Sequence, residues 1–154
     1  GGSVANADPA ADYPAALVGL GATVVTNRRE IGADNFFTAM FETALETGEV
    51  LMAVRFPRGG KSAYAKFPNP ASRYAMAGVF VSSSDTGVRV AVTGAAASVF
   101  RFSEMEAALA GNLSADAIAG MEPAADDLLS DMHASAEYRA NLVNVMAQRA
   151  VAEL

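Results

Sequence analysis

The sequence predicts an α+β fold in which strands dominate up to about residue 100 and helices follow. Short β-branched or alternating apolar segments recur in the first part, whereas the last part carries apolar side chains at helical spacing. An apolar fraction of 52% and a charged fraction of 18% are typical of a folded chain. With 154 residues, the chain can form one ordinary domain or two small ones.

The first elements predicted are a loop, a short helix and two strands. Residues 1–13 hold few large apolar side chains and predict an irregular loop. The helix predicted over 14–20 has a proline in its first turn, and Gly21 follows it as glycine commonly follows a helix. Short β-branched segments predict strands over 22–26 and 30–32.

A second helix is expected after these strands, with Asp34 as its capping residue. Its buried face would consist of four large apolar side chains at helical spacing, namely Phe36, Phe37, Met40 and Phe41. We interpret this group as core packing and not as a cofactor-binding box.

The middle of the chain predicts a sheet. Segment 49–57 (EVLMAVRFP) stops at a proline and segment 62–67 alternates, so both are predicted strands. The nearly continuous apolar run 74–82 predicts a strand buried on both faces, paired as a hairpin with 88–93. A boundary between two units is expected near 57–61.

Helices are predicted after residue 100. Ser103 and Glu106 have the spacing of a capping box at the start of the helix EMEAALAG. Ser114 begins a short alanine-rich helix, and the last helix should cover 135–154. The apolar stripe of this last helix consists of Tyr138, Leu142, Val145 and Met146.

Composition excludes several kinds of site. The chain has no cysteine, so it cannot hold an iron–sulfur cluster, and its single histidine, His133, does not form a zinc site alone. We therefore expect no metal. A net charge of −6 argues against nucleic-acid binding. No membrane span and no secretory signal are indicated, so we expect a cytoplasmic location.

The opening GGSVANADPAADYPAAL resembles a flavin-contacting motif of the FAD-binding (medium) subunits of molybdenum hydroxylases, the family of aerobic carbon monoxide dehydrogenase and xanthine dehydrogenase. In that family a Thr-Ile-Gly-Gly loop precedes Ala-His-Ala-Asp-Pro-Ala-Ala-Asp and then Pro-Ala. Further similar segments follow in the family's order, and they are EVLMAVRFP, YAKFPNPASRYAMAGV, RVAVTGAA and SDMHASAEYRANLVNVMAQRA. Together these matches span essentially the whole chain.

The resemblance implies two units. Residues 1–58 would be the second part of a PCMH-type FAD-binding domain, and residues 59–154 would be the C-terminal domain of the flavoprotein subunit, a small antiparallel sheet with a helical cluster. The sequence begins at the two glycines, lacks the family's first glycine-rich motif, and has Asn6 where a histidine is usual. We therefore expect the chain alone to bind FAD weakly or not at all.

FAD is the cofactor that the resemblance implies, with no catalytic acid, base or nucleophile in this chain. The implied cofactor-binding residues are Gly1, Gly2, Ser3, Asp12, Leu51, Lys66 and Tyr74. Asp12 would accept hydrogen bonds from ribityl or ribose hydroxyls, Leu51 would line the isoalloxazine, and Tyr74 would stack beside it.

Structural interpretations of these residues stay open beside the functional ones. Glycine lets a backbone approach a phosphate closely, and the resemblance favours this role for Gly1 to Ser3 over a flexible end or a tag remnant. Asp12 precedes a helix and has the alternative role of capping it. Leu51 and Tyr74 are also consistent with core packing.

The segment 55–73 holds five of the eleven basic residues and no acid. Either this is a solvated face, or Lys66 and its neighbours lie near the flavin and stabilise its reduced, anionic form. The sequence leaves both interpretations open.

Two functions follow from the resemblance. The first is an electron-transfer subunit whose FAD takes electrons from the iron–sulfur clusters of a small subunit, beside a large subunit with the molybdenum cofactor. The second is a non-enzymatic docking module that presents a partner-subunit interface without binding FAD. A further possibility is that a separate chain supplies the N-terminal part of the FAD-binding domain. We expect the chain alone to be inactive.

Overall fold

The computed structural model describes residues 1–154 and contains two main antiparallel sheets that follow one another along the chain. The elements of the first part are Gly2–Asn6 (α1), Tyr13–Leu20 (α2), Thr23–Thr26 (β1), Glu30–Gly32 (β2), Phe37–Ala39 (β3), Glu42–Thr43 (β4) and Leu51–Arg55 (β5). The first sheet has the strand order β2-β1-β5, while β3 pairs only with β4.

The second sheet has the order β6-β7-β8-β9, and two helices follow it. These elements are Lys61–Pro68 (β6), Ala75–Ser84 (β7), Gly87–Thr93 (β8), Phe100–Arg101 (β9), Ser103–Gly111 (α3) and Ala136–Ala152 (α4). Short 3₁₀ turns occupy Ala33–Asn35, Ala115–Ile118 and Ala125–Asp127. The architecture is the α+β class that the sequence predicts. None of its helices combines the length and apolar character that crossing a membrane requires.

Strand β7 is buried on both faces, as its apolar sequence predicts. On one face Val79 packs in the main core, where Met105 of α3 and Met146 of α4 are almost completely buried. On the other face Phe80 lies against α2, where a Cβ on Gly19 would come within 2.4 Å of the Phe80 ring. The sheet therefore lies between α2 on one side and α4 on the other.

Two predictions for the first part of the chain were wrong. Residues 2–6 form α1 instead of a loop, because Val4 is buried in the same cluster as Leu17 and Val24. The predicted helix after Asp34 is a 3₁₀ turn followed by the β3–β4 hairpin, and Asp34 pairs with Arg89 without capping anything.

The four apolar residues assigned to that helix do not share a buried face. Phe36 is fully buried, whereas Met40 and Phe41 are 45% and 58% exposed. Large apolar residues three and four apart satisfy a helical pattern by chance in a short segment, and here the hairpin directs them to different sides.

The capping box predicted for α3 was also wrong, although the helix is present. Ser103 lies inside α3, whose N-cap residue Phe102 makes no side-chain cap. Glu106 instead accepts a hydrogen bond from the Val90 N–H at 2.9 Å and pairs with Arg101. Glu106 therefore joins α3 to the sheet.

A buried carboxylate joins the β1–β2 turn to the loop that precedes β5. The Glu49 side chain is fully buried and accepts hydrogen bonds from Thr26 Oγ1 at 2.7 Å, from the Glu46 N–H at 2.9 Å and from Arg29. The Arg29 guanidinium, then the Glu46 N–H and the Thr26 hydroxyl, lower the pKa of Glu49 to about 2. Folding therefore favours the ionised form of this side chain.

This shift predicts a specific sensitivity to acid. Because the folded pKa is depressed, Glu49 contributes stability that is complete above its ordinary value of 4.5 and is lost as the pH falls from there through about 2. We expect Glu49→Gln to be less stable at pH 7 and to lose less stability over this interval. Urea unfolding between pH 7 and 2 measures the difference. The control Glu153→Gln, on an exposed residue, should keep the parent profile, and a Glu49→Gln profile parallel to the parent's would contradict the assignment.

Candidate functional site

A pocket of about 430 Å³ lies where the two parts of the chain meet. Ser3 and residues 10–13 line it from the first part, and Lys66 and residues 72–74 line it from the second. Four of the seven residues implied for flavin contact come together here, and they are Ser3, Asp12, Lys66 and Tyr74. Cofactor pockets commonly have volumes of about 300–1,000 Å³, so this one accommodates part of a dinucleotide.

Asp12 is the most connected side chain of this pocket. Its carboxylate accepts a hydrogen bond from Tyr64 Oη at 2.6 Å and from Lys66 Nζ at 2.8 and 3.1 Å. Although Asp12 occupies the N-cap position of α2, it makes no side-chain capping bond. The capping interpretation of Asp12 is therefore wrong, and its carboxylate is held by β6 instead.

Tyr64 and Lys66 reach Asp12 together because they are two residues apart on β6, which places their side chains on the same face of the sheet. Burial and the hydrogen bond to Asp12 raise the pKa of Tyr64 well above its usual range. Tyr64 is therefore a neutral donor to the carboxylate at any physiological pH.

The Tyr64 hydroxyl lies in a space that a side chain at Gly78 would fill. A Cβ on Gly78 would come within 2.4 Å of Tyr64 Oη and 3.0 Å of Thr93 Cγ2. The absence of that atom on β7 lets the tyrosine reach Asp12 across the sheet.

The loop that carries Asp12 is fastened to the second sheet. The Ala75 and Gly94 N–H groups donate to Ala10 O and Pro9 O, at 3.3 and 2.8 Å. The buried Thr93 hydroxyl lies 2.9 and 2.8 Å from Pro9 O and Ala11 O. The position of Asp12 therefore depends on residues more than 60 positions away along the chain.

The remaining predicted residues are placed differently. Gly1 and Gly2 are exposed, and a Cβ at either would contact nothing, so the fold imposes no glycine requirement on them. Leu51 pairs with Thr26 across the first sheet and is not among the pocket residues. Tyr74 is 50% exposed, so it is not a core residue and its ring is open to stacking.

Two pocket residues, Tyr13 and Ser72, were not anticipated from the sequence, and neither was Tyr64, which is not among the lining residues but holds Asp12. The alternation of Tyr64 and Lys66 on a predicted strand was the available signal, since such residues share a face. Arg73, which belongs to the basic segment, has a left-handed backbone with φ 66° and forms no ion pair.

A second pocket of about 310 Å³ adjoins the first, and both are lined by Ala10, Ser72 and Tyr74. Arg139 of α4 lies at its base with a side chain only 5% exposed, and its Nη1 donates to Met76 O at 2.7 Å and to Gly94 O at 3.0 Å. Its Nη2 donates to the carboxylate of Asp131 at 2.7 Å.

The residues before α4 form a turn around Asp131. Asp131 Oδ1 accepts hydrogen bonds from the His133 and Ala134 N–H groups at 2.9 and 3.0 Å. These donors, first that of His133, and the charge of Arg139 hold the pKa of Asp131 below its usual value. No group of three or more His, Cys, Asp or Glu side chains is arranged to hold a metal ion.

Two family models match consecutive parts of the chain. Residues 1–59 match the FAD binding domain in molybdopterin dehydrogenase, and residues 62–154 match the CO dehydrogenase flavoprotein C-terminal domain. The chain belongs to the FAD-binding subunit family of the molybdenum hydroxylases. The resemblance stated from its motifs is thereby confirmed.

Relatives of this family align with almost the whole chain. The nicotine 6-hydroxylase medium subunit of Paenarthrobacter nicotinovorans is 36% identical over 99% of the chain and 59% of its own length. The carbon monoxide dehydrogenase medium chain of Hydrogenophaga pseudoflava is 30% identical over 98% of the chain and 58% of its own length. The solved structure of Cu,Mo-CO dehydrogenase matches with a TM-score of 0.83 at 30% identity, covering 99% of this chain and 59% of that one. The chain thus spans about three fifths of these relatives.

Proposed function

We propose that the chain is part of the FAD-carrying, electron-transferring subunit of a molybdenum hydroxylase. The single observation that supports this most is the pocket in which Ser3, Asp12, Lys66 and Tyr74 meet from both parts of the chain. FAD would supply the redox chemistry, because the chain has no cysteine to hold an iron–sulfur cluster.

Each pocket residue has a role in that proposal. Asp12, already fixed by Tyr64 and Lys66, offers a charged acceptor for sugar or ribityl hydroxyls. Tyr74 provides an exposed aromatic face for the ring system. Lys66 and Arg73 place positive charge beside it, which favours the anionic reduced form of a flavin.

The proposed partners are a large subunit with the molybdenum cofactor and a small subunit with iron–sulfur clusters. Support comes from relatives that are named as medium subunits or medium chains. We also propose the division into residues 1–58 and 59–154, since the two matched family models meet near residue 60.

A docking module without FAD is the second candidate, and one observation favours it. Strand β5 lies at the edge of its sheet, and large apolar side chains on it and next to its two ends are exposed, at 66% for Met52, 55% for Val50 and 45% for Phe56. Absorbance of the purified complete subunit separates the two candidates, because flavin bands stoichiometric with protein support the first and a colourless protein supports the second.

We expect the 154-residue chain by itself to bind FAD weakly. Six of the nine residues that line the pocket are exposed, so the pocket covers its ligand from one side only. Titration followed by flavin fluorescence should give a Kd weaker than about 1 μM, which corresponds to roughly −8 kcal/mol. A tighter Kd would show that the pocket is sufficient by itself.

In the complete subunit, Asp12→Ala should weaken FAD binding about tenfold to a hundredfold, because one charge-assisted hydrogen bond is worth about 1.5–3 kcal/mol. Equilibrium dialysis of the flavin measures the loss. Tyr64→Phe is the matched variant, since it removes a bond to Asp12 but keeps the carboxylate, and it should retain most of the affinity. If Asp12→Ala holds its flavin as well as the parent does, the assignment is wrong.

A further inference from the structure

Two cations of the basic segment are not explained by the flavin pocket. Seven of the eleven basic residues form salt bridges, and the four that do not are Arg58, Lys61, Arg73 and Arg149. Arg58 lies in the link between the two sheets, and Lys61 is the first residue of β6, so both belong to the segment 57–61. Both side chains are exposed, so their charges are free to meet an anionic ligand.

The segment 57–61 borders a separate pocket of about 190 Å³ beside the β7–β8 turn. Eight of its twelve lining residues are polar or charged: three basic residues, one acid and four residues with hydroxyl side chains. These residues are Arg58, Lys61, Arg89, Asp85, Ser82, Ser83, Ser84 and Thr86. Arg89 is held in place by Asp34 and by Val18 O, so Arg58 and Lys61 are the cations left for a ligand.

Backbone donors add to these charges. The N–H groups of Arg58, Gly59 and Gly60 donate to no acceptor in the chain's backbone. Gly60 has a φ of 81°, and a Cβ there would lie 2.4 Å from Ser83 O, so the connecting backbone presses directly against the end of β7. Free N–H groups beside a guanidinium and an ammonium are the donor set that binds phosphate oxygens.

We propose that this pocket binds a phosphate group, either as inorganic phosphate or as a terminal phosphomonoester. The site is separate from the flavin pocket, because Lys61 and Lys66 are five residues apart on β6, which amounts to roughly 16 Å. The proposal does not depend on FAD binding. It gives a role to Arg58 and Lys61, the two cations of the basic segment that are unpaired and lie outside the flavin pocket.

The test is a titration of inorganic phosphate into the ¹⁵N-labelled chain at constant ionic strength, with chloride as the replaced anion. We expect saturable shifts of the amide signals of residues 58–61 and 83–86. Shifts that cluster at Ser3 and Arg73 would place phosphate in the flavin pocket and overturn the proposal. Shifts that grow linearly without saturation would overturn it as well.

Matched variants distinguish specific phosphate binding at this pocket from a nonspecific effect of removing any positive charge. Lys61→Gln and Arg58→Gln should each raise the Kd for phosphate about tenfold, as expected for the loss of one charge-assisted contact. Arg149→Gln, which removes an exposed unpaired cation from α4, should leave the Kd unchanged. Equal values for all three contradict the proposal.

A second titration with glycerol 3-phosphate identifies the source of the phosphate group. If both ligands shift the same amide signals, the proposal is supported. The ligand with the lower Kd then shows whether the site prefers free phosphate or a phosphate ester.

Discussion

Arg139→Met should lower the free energy of unfolding by about 3 kcal/mol, the largest effect of any single substitution considered. The guanidinium donates to Met76 O and Gly94 O in a position that is only 5% exposed. Methionine fills a similar volume but donates nothing, so both carbonyls lose a partner, and an unsatisfied buried acceptor costs about 1–3 kcal/mol. The lost pair with Asp131 adds little, because that carboxylate is 46% exposed and is screened by water.

Urea unfolding of the chain measures this loss. Arg149→Met is the control, because Arg149 lies on the same helix α4 but is exposed and unpaired, and it should change stability by less than about 0.5 kcal/mol. If the two variants were equally stable, the two carbonyls would have to be satisfied by water instead.

Lys66→Met should lower the two-electron reduction potential of FAD in the complete subunit by about 20–60 mV. A unit charge about 6 Å away is worth roughly 3 kcal/mol at an effective dielectric constant of about 20, and 30 mV corresponds to about 1.4 kcal/mol for two electrons. The lower part of the range is expected because the Lys66 side chain is 29% exposed and is paired with Asp12.

The ion pair itself offers the matched variant for this measurement. Asp12→Asn removes the opposite charge from the same place and should raise the potential, while Arg149→Met should leave it unchanged. Spectroelectrochemical titration of the three variants decides between the interpretations. Equal potentials would mean that Lys66 does not influence the flavin and that the basic segment is a solvated face.

Several features that depend on near neighbours in the sequence were predicted correctly. The apolar run of β7 requires burial on both faces, and the structure shows that burial. Gly21 ends α2 with a left-handed φ of 63°. These features follow from periodicity and backbone preference, which the sequence displays directly.

Features that depend on distant segments were not predictable in the same way. Asp12 meets Tyr64 and Lys66 only because the loop before α2 folds onto the second sheet, more than 50 residues away. Arg139 is one of two buried polar residues of α4, and no local pattern shows that two carbonyls lie opposite it. The failed prediction for residues 34–41 has the same origin, because tertiary packing of Phe36 selects a hairpin over a helix.

The attachment of residues 8–12 to β7 and β8 also determines how the pocket can open. Lifting this loop must break the bonds from the Ala75 and Gly94 N–H groups, so hydrogen–deuterium exchange at these two amides reports directly on opening. Ala75 is the first residue of β7, and Gly94 directly follows β8. The two amides should nevertheless exchange at similar rates, because both are released when the same loop lifts. A ligand that rests on the loop would slow both together, which makes this pair of amides an internal sensor of occupancy.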